Sequence, residues 1–233
     1  IIFQDVVASL YKRNQLSSLT NKISKNIFVP ITVGGGIRNV NDIKEILVNG
    51  ADRVSINTAA VNDKKFIKES VKVFGSSTIT ITIESLKVGE KYKVYTDSGR
   101  TETNINVFEW IKEVQDMGVG EIILTSINNE GTGKGFDLNL YEKASKICNI
   151  SLLAHGGTRN SEDIYKLFIN TDIDGAIIAS AFHYNYYKEL LNKKKISLRG
   201  STNFLVNQDF KNIFFFGVKD LKKYLKSKNI SIR

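Results

Sequence analysis

Two glycine-rich turns carry the clearest chemical signal in this chain. Gly34, Gly35 and Gly36 follow the apolar run FVPITV, and Gly156 and Gly157 follow the run SLLAH. Backbone N–H groups in such turns converge on an anion, and a helix that begins there adds the positive end of its dipole. The turns therefore predict two phosphate sites. The alternative is that the glycines only permit tight turns between a strand and a helix.

The two turns belong to a segment that occurs twice. GGGIRNVNDIKEILVNG at 34–50 and HGGTRNSEDIYKLFINT at 155–171 share glycine, arginine, asparagine, aspartate and isoleucine at matching positions. Each copy leads to an apolar run that ends in a small polar residue, VSINT at 54–58 and AIIAS at 176–180. A repeated β-loop-α-β unit is typical of a duplicated half-barrel, with its two turns on opposite sides of the barrel. We therefore predict a substrate with a phosphate at each end.

Other candidate residues also follow apolar runs. Glu84 ends the run TITITIE, at the end of a barrel strand where catalytic groups lie, so it is a candidate general acid or base. A surface carboxylate paired with Lys87 is the alternative. The loop NNEGTGKG at 128–135 either clamps a phosphate through Gly131 or is a plain flexible loop. His155 has no cysteine or second histidine nearby, so we predict no metal site.

Apolar runs alternate with helical patterns along the whole chain. We predict strands at 1–5, 28–33, 53–57, 78–84, 120–126, 151–155 and 175–180. We predict helices near 14–26, 40–49, 62–74, 106–117, 138–148, 161–170 and 217–228, with N-caps at Asn39, Asn62, Asp137 and Asn160. This alternation indicates right-handed βαβ units and a parallel sheet. The duplication favours an α/β protein of the (β/α)8 TIM barrel class, built from two half-barrels, over an open doubly wound sheet.

The domain organisation is predicted from the number of strands. Seven strands are visible, and the chain opens on Ile1 without a methionine. We therefore expect one barrel domain over residues 1–233, N-terminally truncated, with its first strand and helix missing. The segment 184–216 is long, basic and aromatic, and it interrupts the regular alternation. We expect it to add structure before the last helix.

The composition limits the classes of function. Hydrophobic residues make up 42% and charged residues 24% of the chain, as in soluble globular proteins, and no apolar stretch approaches about 18 residues. The formal charge of +9 comes from scattered lysines that are not interleaved with aromatic residues, so we predict neither nucleic-acid nor membrane binding. The single cysteine, Cys148, excludes an internal disulfide and fits a cytoplasmic location. No cofactor is predicted.

Taken together, the motifs resemble those of the cyclase subunit of imidazole glycerol phosphate synthase. The matching strings are FQDVVAS, ITVGGGIRN, GADRVSINTAAV, GEIILTSINNEGTGKGFD and IIASAFH. The likeness runs from residue 1 to about residue 183 and resumes at VKDLKKYLKSKNISIR. It implies a (β/α)8 barrel enzyme of the lyase or synthase type in histidine biosynthesis. It also implies a glutaminase partner at the barrel floor, whose ammonia passes through the barrel to a bis-phosphorylated substrate.

The resemblance assigns roles to individual residues. It implies phosphate contacts at Gly36, Asn57 and Thr58 on one side, and at Gly131, Gly157, Ala179 and Ser180 on the other. It implies an ammonia gate that includes Arg53 and Glu121, a pair that would otherwise be a structural ion pair at the barrel floor. Where the family has a lysine in this gate, this chain has Arg53, whose guanidinium group is also charged but is forked and bulkier.

The catalytic acids depart from the family pattern. The family uses two aspartates as general acid and base. The first lies on the first strand, which we expect to be missing from this chain, and the position of the second is occupied by Glu84. In the loop over the mouth of the barrel, Glu130 stands where an aspartate is common in the family. The extra methylene of Glu84 moves the carboxylate by roughly 1 Å, a shift that can cost ~10²-fold in rate. Two alternatives therefore stay open. One is a paralogue that supplies ammonia for amidination of a nucleotide sugar in surface-polysaccharide synthesis, and the other is a non-catalytic scaffold that activates its glutaminase.

Overall fold

The computed structural model describes residues 1–6, 8, 16–192 and 214–232. Within them, parallel strands neighbour one another in the order in which they occur along the chain. These strands are β1 (Ile2–Gln4), β2 (Thr32–Gly34), β3 (Arg53–Ile56), β4 (Ile79–Val88), β7 (Glu121–Ser126), β8 (Ser151–His155) and β9 (Gly175–Ile177). An antiparallel hairpin of β5 (Lys91–Thr96) and β6 (Thr101–Asn106) pairs with the extended end of β4.

Helices follow the parallel strands. They are α1 (Leu16–Ser24), α2 (Val40–Val48), α3 (Thr58–Asn62), α4 (Lys64–Phe74), α5 (Val107–Asp116), α6 (Leu138–Ser145), α7 (Ser161–Asn170), α8 (Ser180–Asn192) and α9 (Val218–Ser227). Parallel strands in sequential order with intervening helices confirm the predicted architecture of the (β/α)8 barrel class. No helix in the described ranges has the length and apolar character needed to cross a membrane.

Both faces of β4 are buried over its first five residues, as expected for a strand of a barrel wall. Ile79, Ile81 and Ile83 are fully buried and belong to the main hydrophobic core. The alternating Thr80 and Thr82 are also buried, but they make polar contacts with the neighbouring strands β7 and β3. The strand therefore presents an apolar face to the hydrophobic core and a hydroxyl-bearing face to a polar set of side chains.

The sequence repeat is also a structural repeat. In each copy, an asparagine N-cap accepts the backbone N–H of an aspartate three residues later, which confirms the caps at Asn39 and Asn160. Another aspartate, just before the second strand of each copy, accepts an N–H at the start of the first strand. The aspartate after each cap also accepts a backbone N–H, that of Arg38 at Asp42 Oδ2 and that of Arg159 at Asp163 Oδ2, both at 2.8 Å. The aspartates before the second strands accept from Ile31 N at Asp52 Oδ2 and from Leu152 N at Asp174 Oδ2, both at 2.7 Å.

The structure corrects the prediction at one helix start and adds a hairpin. The helix predicted over 62–74 is present as α4 and begins at Lys64. Its N-cap is Asp63 and not Asn62, which is the last residue of α3. Asp63 Oδ1 accepts the N–H groups of Lys65 and Phe66 at 2.9 and 3.2 Å. The hairpin over 91–106 was not predicted, although its alternating KYKVYT and its turn at Asp97 are typical of one.

The last predicted strand and the segment that follows it also differ from expectation. The strand predicted over 175–180 ends at Ile177, and α8 begins at Ser180. Helix α8 covers residues 184–192 of the segment for which we expect added structure. Residues 193–213 of the same segment lie outside the described residues, whereas residues 214–216 are described.

Candidate functional site

Two cavities lie among the loops that follow the carboxyl ends of the strands. The first has a volume of about 370 Å³ and lies at the ends of β1 to β4, and the second has about 140 Å³ and lies at the ends of β7 to β9. The predicted phosphate contacts divide between them. Gly36, Asn57 and Thr58 line the first cavity with Glu84, and Gly131, Gly157, Ala179 and Ser180 line the second.

The backbone of each turn needs glycine. Gly35 has a φ of +105° and Gly157 a φ of +100°, a region that L residues rarely adopt. A Cβ atom on Gly35 would overlap the carbonyl oxygen of Asp5, and one on Gly157 would overlap the carbonyl oxygen of Gly135. The turns therefore require these glycines for close packing, whether or not an anion binds.

The tip of the β5–β6 hairpin forms one wall of the first cavity. Asp97 and Ser98 line the cavity and have positive φ angles. The N–H of Asp97 donates to Thr58 Oγ1 at 3.1 Å, and the hydroxyl of Ser98 donates to the carbonyl oxygen of Val6. These residues were not among the predicted site residues, although the turn letters DSG after an alternating strand are a signal that could have identified them.

Glu84 is held at the border of the first cavity by two hydrogen bonds. Its Oε2 accepts from Asn57 Nδ2 at 2.8 Å and from the N–H of Gly99 at 2.9 Å. Burial raises the pKa of its carboxyl above the ordinary value, and the carboxylates of Glu130 and Asp97 raise it further. The two hydrogen bonds oppose this rise in pKa without cancelling it.

The alternative ion pair of Glu84 with Lys87 does not form. The ammonium group of Lys87 lies over the ring of Tyr92, 5.8 Å from its centroid. Since Glu84 lines the cavity and is hydrogen-bonded to groups of that cavity wall, it is placed where a carboxylate can exchange a proton with a bound molecule.

His155 lines the second cavity from the end of β8. Its Nδ1 lies 3.1 Å from Thr125 Oγ1 on the adjacent strand. Burial lowers the pKa of the imidazole below its ordinary value, while the nearby carboxylate of Glu130 acts in the opposite direction. Because Glu130 also raises the pKa of Glu84, its negative charge influences residues of both cavities.

At the opposite end of the strands, Arg53 and Glu121 form an ion pair of 2.8 Å. They are the first residues of β3 and β7. The Glu121 side chain is 11% exposed and also accepts from Thr80 Oγ1 at 3.1 Å, so both of its oxygens have partners. At the same end of the strands, large apolar side chains that precede β1 and β2 are exposed: Phe28 is 94% exposed, and Ile1 and Val29 are about half exposed.

No group of three or more metal-ligating side chains occurs among the residues that the structure describes. Cys148 is half-buried, and burial raises the pKa of its thiol.

The chain is similar to proteins of histidine biosynthesis. A family model described as "Histidine biosynthesis protein" matches residues 1–188. Imidazole glycerol phosphate synthase subunit HisF of Thermococcus onnurineus is 43% identical over 204 residues, covering 85% of this chain and 81% of the relative. The subunits of the same name from Hydrogenobaculum sp. and Chlorobium chlorochromatii are 38% and 39% identical, over 100% and 85% of this chain and 81% of each relative.

Proposed function

The chain belongs to the histidine biosynthesis protein family, and from this premise we propose that it is the cyclase subunit of imidazole glycerol phosphate synthase. The observation that carries the proposal is the pair of cavities on two copies of one glycine turn, with a carboxyl of raised pKa at the border of the first. Such a pair suits an elongated substrate with a phosphate at each end.

Each cavity offers hydrogen-bond donors to a phosphate. The first offers the turn amide of Gly36 and the side chains of Asn57 and Thr58. The second offers the amide of Gly157 and the N-terminus of the 13-residue helix α8, which begins at Ser180. Amides and a helix N-terminus favour negative charge without requiring a lysine or arginine in contact with the anion.

Glu84 is the proposed general acid or base. A carboxyl with a raised pKa holds its proton closer to neutral pH, where it is better matched to both donating and accepting a proton. Its Oε2 is occupied by Asn57 and Gly99, whereas Oε1 has no hydrogen-bond partner among the described residues. The free oxygen is therefore the atom that would exchange a proton with the substrate as ammonia is incorporated.

Ammonia would enter from the floor. The Arg53–Glu121 pair lies at the amino ends of β3 and β7 and would act as the gate. Beyond it, hydroxyl groups such as the hydrogen-bonded pair of Ser55 and Thr82 line up along the strands toward Glu84. Phe28, with Ile1 and Val29 at the same end of the strands, offers exposed apolar side chains that a glutaminase subunit could cover.

The test is turnover of the bis-phosphorylated aminoimidazole carboxamide substrate, with ammonium chloride or with the glutaminase subunit and glutamine. We expect formation of imidazole glycerol phosphate, and Glu84→Gln should lower kcat by about 10²–10⁴-fold. Glu84→Asp, which restores the residue of the family, is the matched control and should retain far more activity. Absence of turnover with intact stimulation of the glutaminase would refute the proposal and favour a scaffold or the nucleotide-sugar paralogue.

A further inference from the structure

The two anion turns differ in one titratable side chain. His155 directly precedes the glycines of the second turn, and the matching residue of the first copy is Gly34. A Cβ atom on Gly34 would lie 2.9 Å from Gln4 Oε1 and 3.0 Å from the carbonyl oxygen of Ser55. A side chain at this position of the first turn would therefore force Gln4 and Ser55 to shift, and among the described residues only the second turn places an imidazole beside its cavity.

The imidazole of His155 is held by one ring nitrogen. Its Nδ1 lies 3.1 Å from the hydroxyl of Thr125, which is 4% exposed. Its Nε2 has no hydrogen-bond partner in the described part of the chain. The ring lines the same cavity as Gly157 and Ser180, the donors proposed for the second phosphate.

Few titratable groups face this ring. Glu130, in the loop after β7, is the charged side chain that acts on it. Tyr141 of α6 donates its hydroxyl to the carbonyl oxygen of His155, and burial raises the pKa of that tyrosine so far that it stays neutral. The charge of Glu130 also raises the pKa of Glu84, but Glu84 is not among the groups that act on the ring of His155.

We propose that His155 is a proton-linked ligand of the second phosphate. The imidazole takes up one proton from solvent when the phosphate enters, and the resulting imidazolium donates its Nε2–H to a phosphate oxygen. The proton returns to solvent when the phosphate leaves. This inference rests on the proposed function, and it distinguishes the two ends of the substrate, because the first turn carries no imidazole.

The proton uptake follows from the surroundings of the ring. In the empty cavity, burial keeps the pKa of His155 low, so the ring is neutral at neutral pH. A phosphate dianion within hydrogen-bond distance favours the charged form and raises that pKa. By linkage, if the anion raises the pKa of His155 by one unit, it binds about tenfold more tightly at a pH below the pKa values of the free and bound states than at a pH above them.

Because Glu84 lines the first cavity, anion affinity measured against pH does not isolate His155. The ring signals of the histidines do, since the chain contains only His155 and His183. We would follow both rings by NMR from acidic to basic pH, with inorganic sulfate, a dianion throughout this range, and with sodium chloride at equal ionic strength. His155→Gln assigns the signals, and His183→Gln assigns them from the other side if the first variant does not fold.

We expect the pKa of His155 to be higher in sulfate than in chloride by one unit or more, with changed amide signals at Gly157 and Ser180. Changed amide signals at either turn with an unmoved pKa of His155 would overturn this inference and leave the proposed function standing. Unchanged amide signals at both turns would overturn the inference together with the proposed phosphate sites.

Discussion

The substitution Gly157→Ala tests how strictly the second anion turn depends on its backbone geometry. The added Cβ would overlap the carbonyl oxygen of Gly135 and lie 2.8 Å from the Cβ of Asn129. Neither neighbour can rotate away, because the first is backbone and the position of a Cβ atom is fixed by the backbone. The side chain of Asn129 also donates to Gly135 O at 2.8 Å. The loop over 129–135 must therefore move away from the turn.

The expected loss of stability follows from three contributions. An alanine at a φ of +100° is strained by about 1–3 kcal/mol. Displacement of the loop breaks the bonds from Gly135 N to Gly157 O and from Asn129 Nδ2 to Gly135 O, each 2.8 Å long. Such bonds contribute about 0.5–1.5 kcal/mol each, so the sum is about 2–6 kcal/mol. At about 2–4 °C per kcal/mol for a chain of this size, the Tm should fall by roughly 4–24 °C.

The assay is thermal unfolding followed by circular dichroism, with Gly89→Ala as the matched control. Gly89 has a φ of +59° and nothing within 4 Å of its added Cβ, so its substitution costs only the left-handed strain of about 1–2 kcal/mol. A Tm loss for Gly157→Ala no larger than that for Gly89→Ala would refute the steric argument. In the folded variant, inorganic phosphate should still shift the amide of Thr58 but no longer that of Ser180.

Three further substitutions follow from single contacts. Glu84 has a raised folded-state pKa, so its contribution to stability is present below the unfolded pKa and is lost as pH rises through the folded pKa. The difference in urea midpoint between the wild type and Glu84→Gln should therefore change across pH 4–8, and parallel midpoints would contradict this. Arg53→Met removes the ionic partner of the mostly buried Glu121 carboxylate and should lower the free energy of unfolding in urea by about 1–3 kcal/mol. This cost is smaller than for a fully buried pair because the Arg53 side chain is 37% exposed. The control Lys146→Met, at an exposed ion pair, should change nothing measurable. Asp63→Ala removes a helix N-cap and should cost about 1 kcal/mol, with Asn62→Ala close to neutral; equal costs would contradict the assigned cap.

The features predicted correctly depend on local capping rules and on the general geometry of a barrel. Asn39 and Asn160 cap their helices because an asparagine side chain accepts an N–H only three residues away. The ion pair of Arg53 with Glu121 was also predicted, since the residues that begin the parallel strands of one barrel all lie at its floor. The helix cap assigned to Asn62 was wrong, because adjacent Asn62 and Asp63 both suit an N-cap and only the backbone angles distinguish them.

The surroundings of Glu84 and His155 required the tertiary structure. The N–H of Gly99 reaches Glu84 only because the hairpin folds back over the first cavity. Glu130 acts on both Glu84 and His155 because its loop lies between residues that are far apart along the chain. Each of these contacts depends on how one loop lies against another.

By itself, the sequence determined the alternation of strands and helices, the repeated glycine turn and the strand ends that carry the candidate groups. These follow from backbone angles, caps and apolar periodicity, which act over a few residues. Only the tertiary structure decided which groups share a cavity and which carboxyl has a raised pKa. Burial and the distances between charges are set by packing between segments that the chain order alone does not bring together.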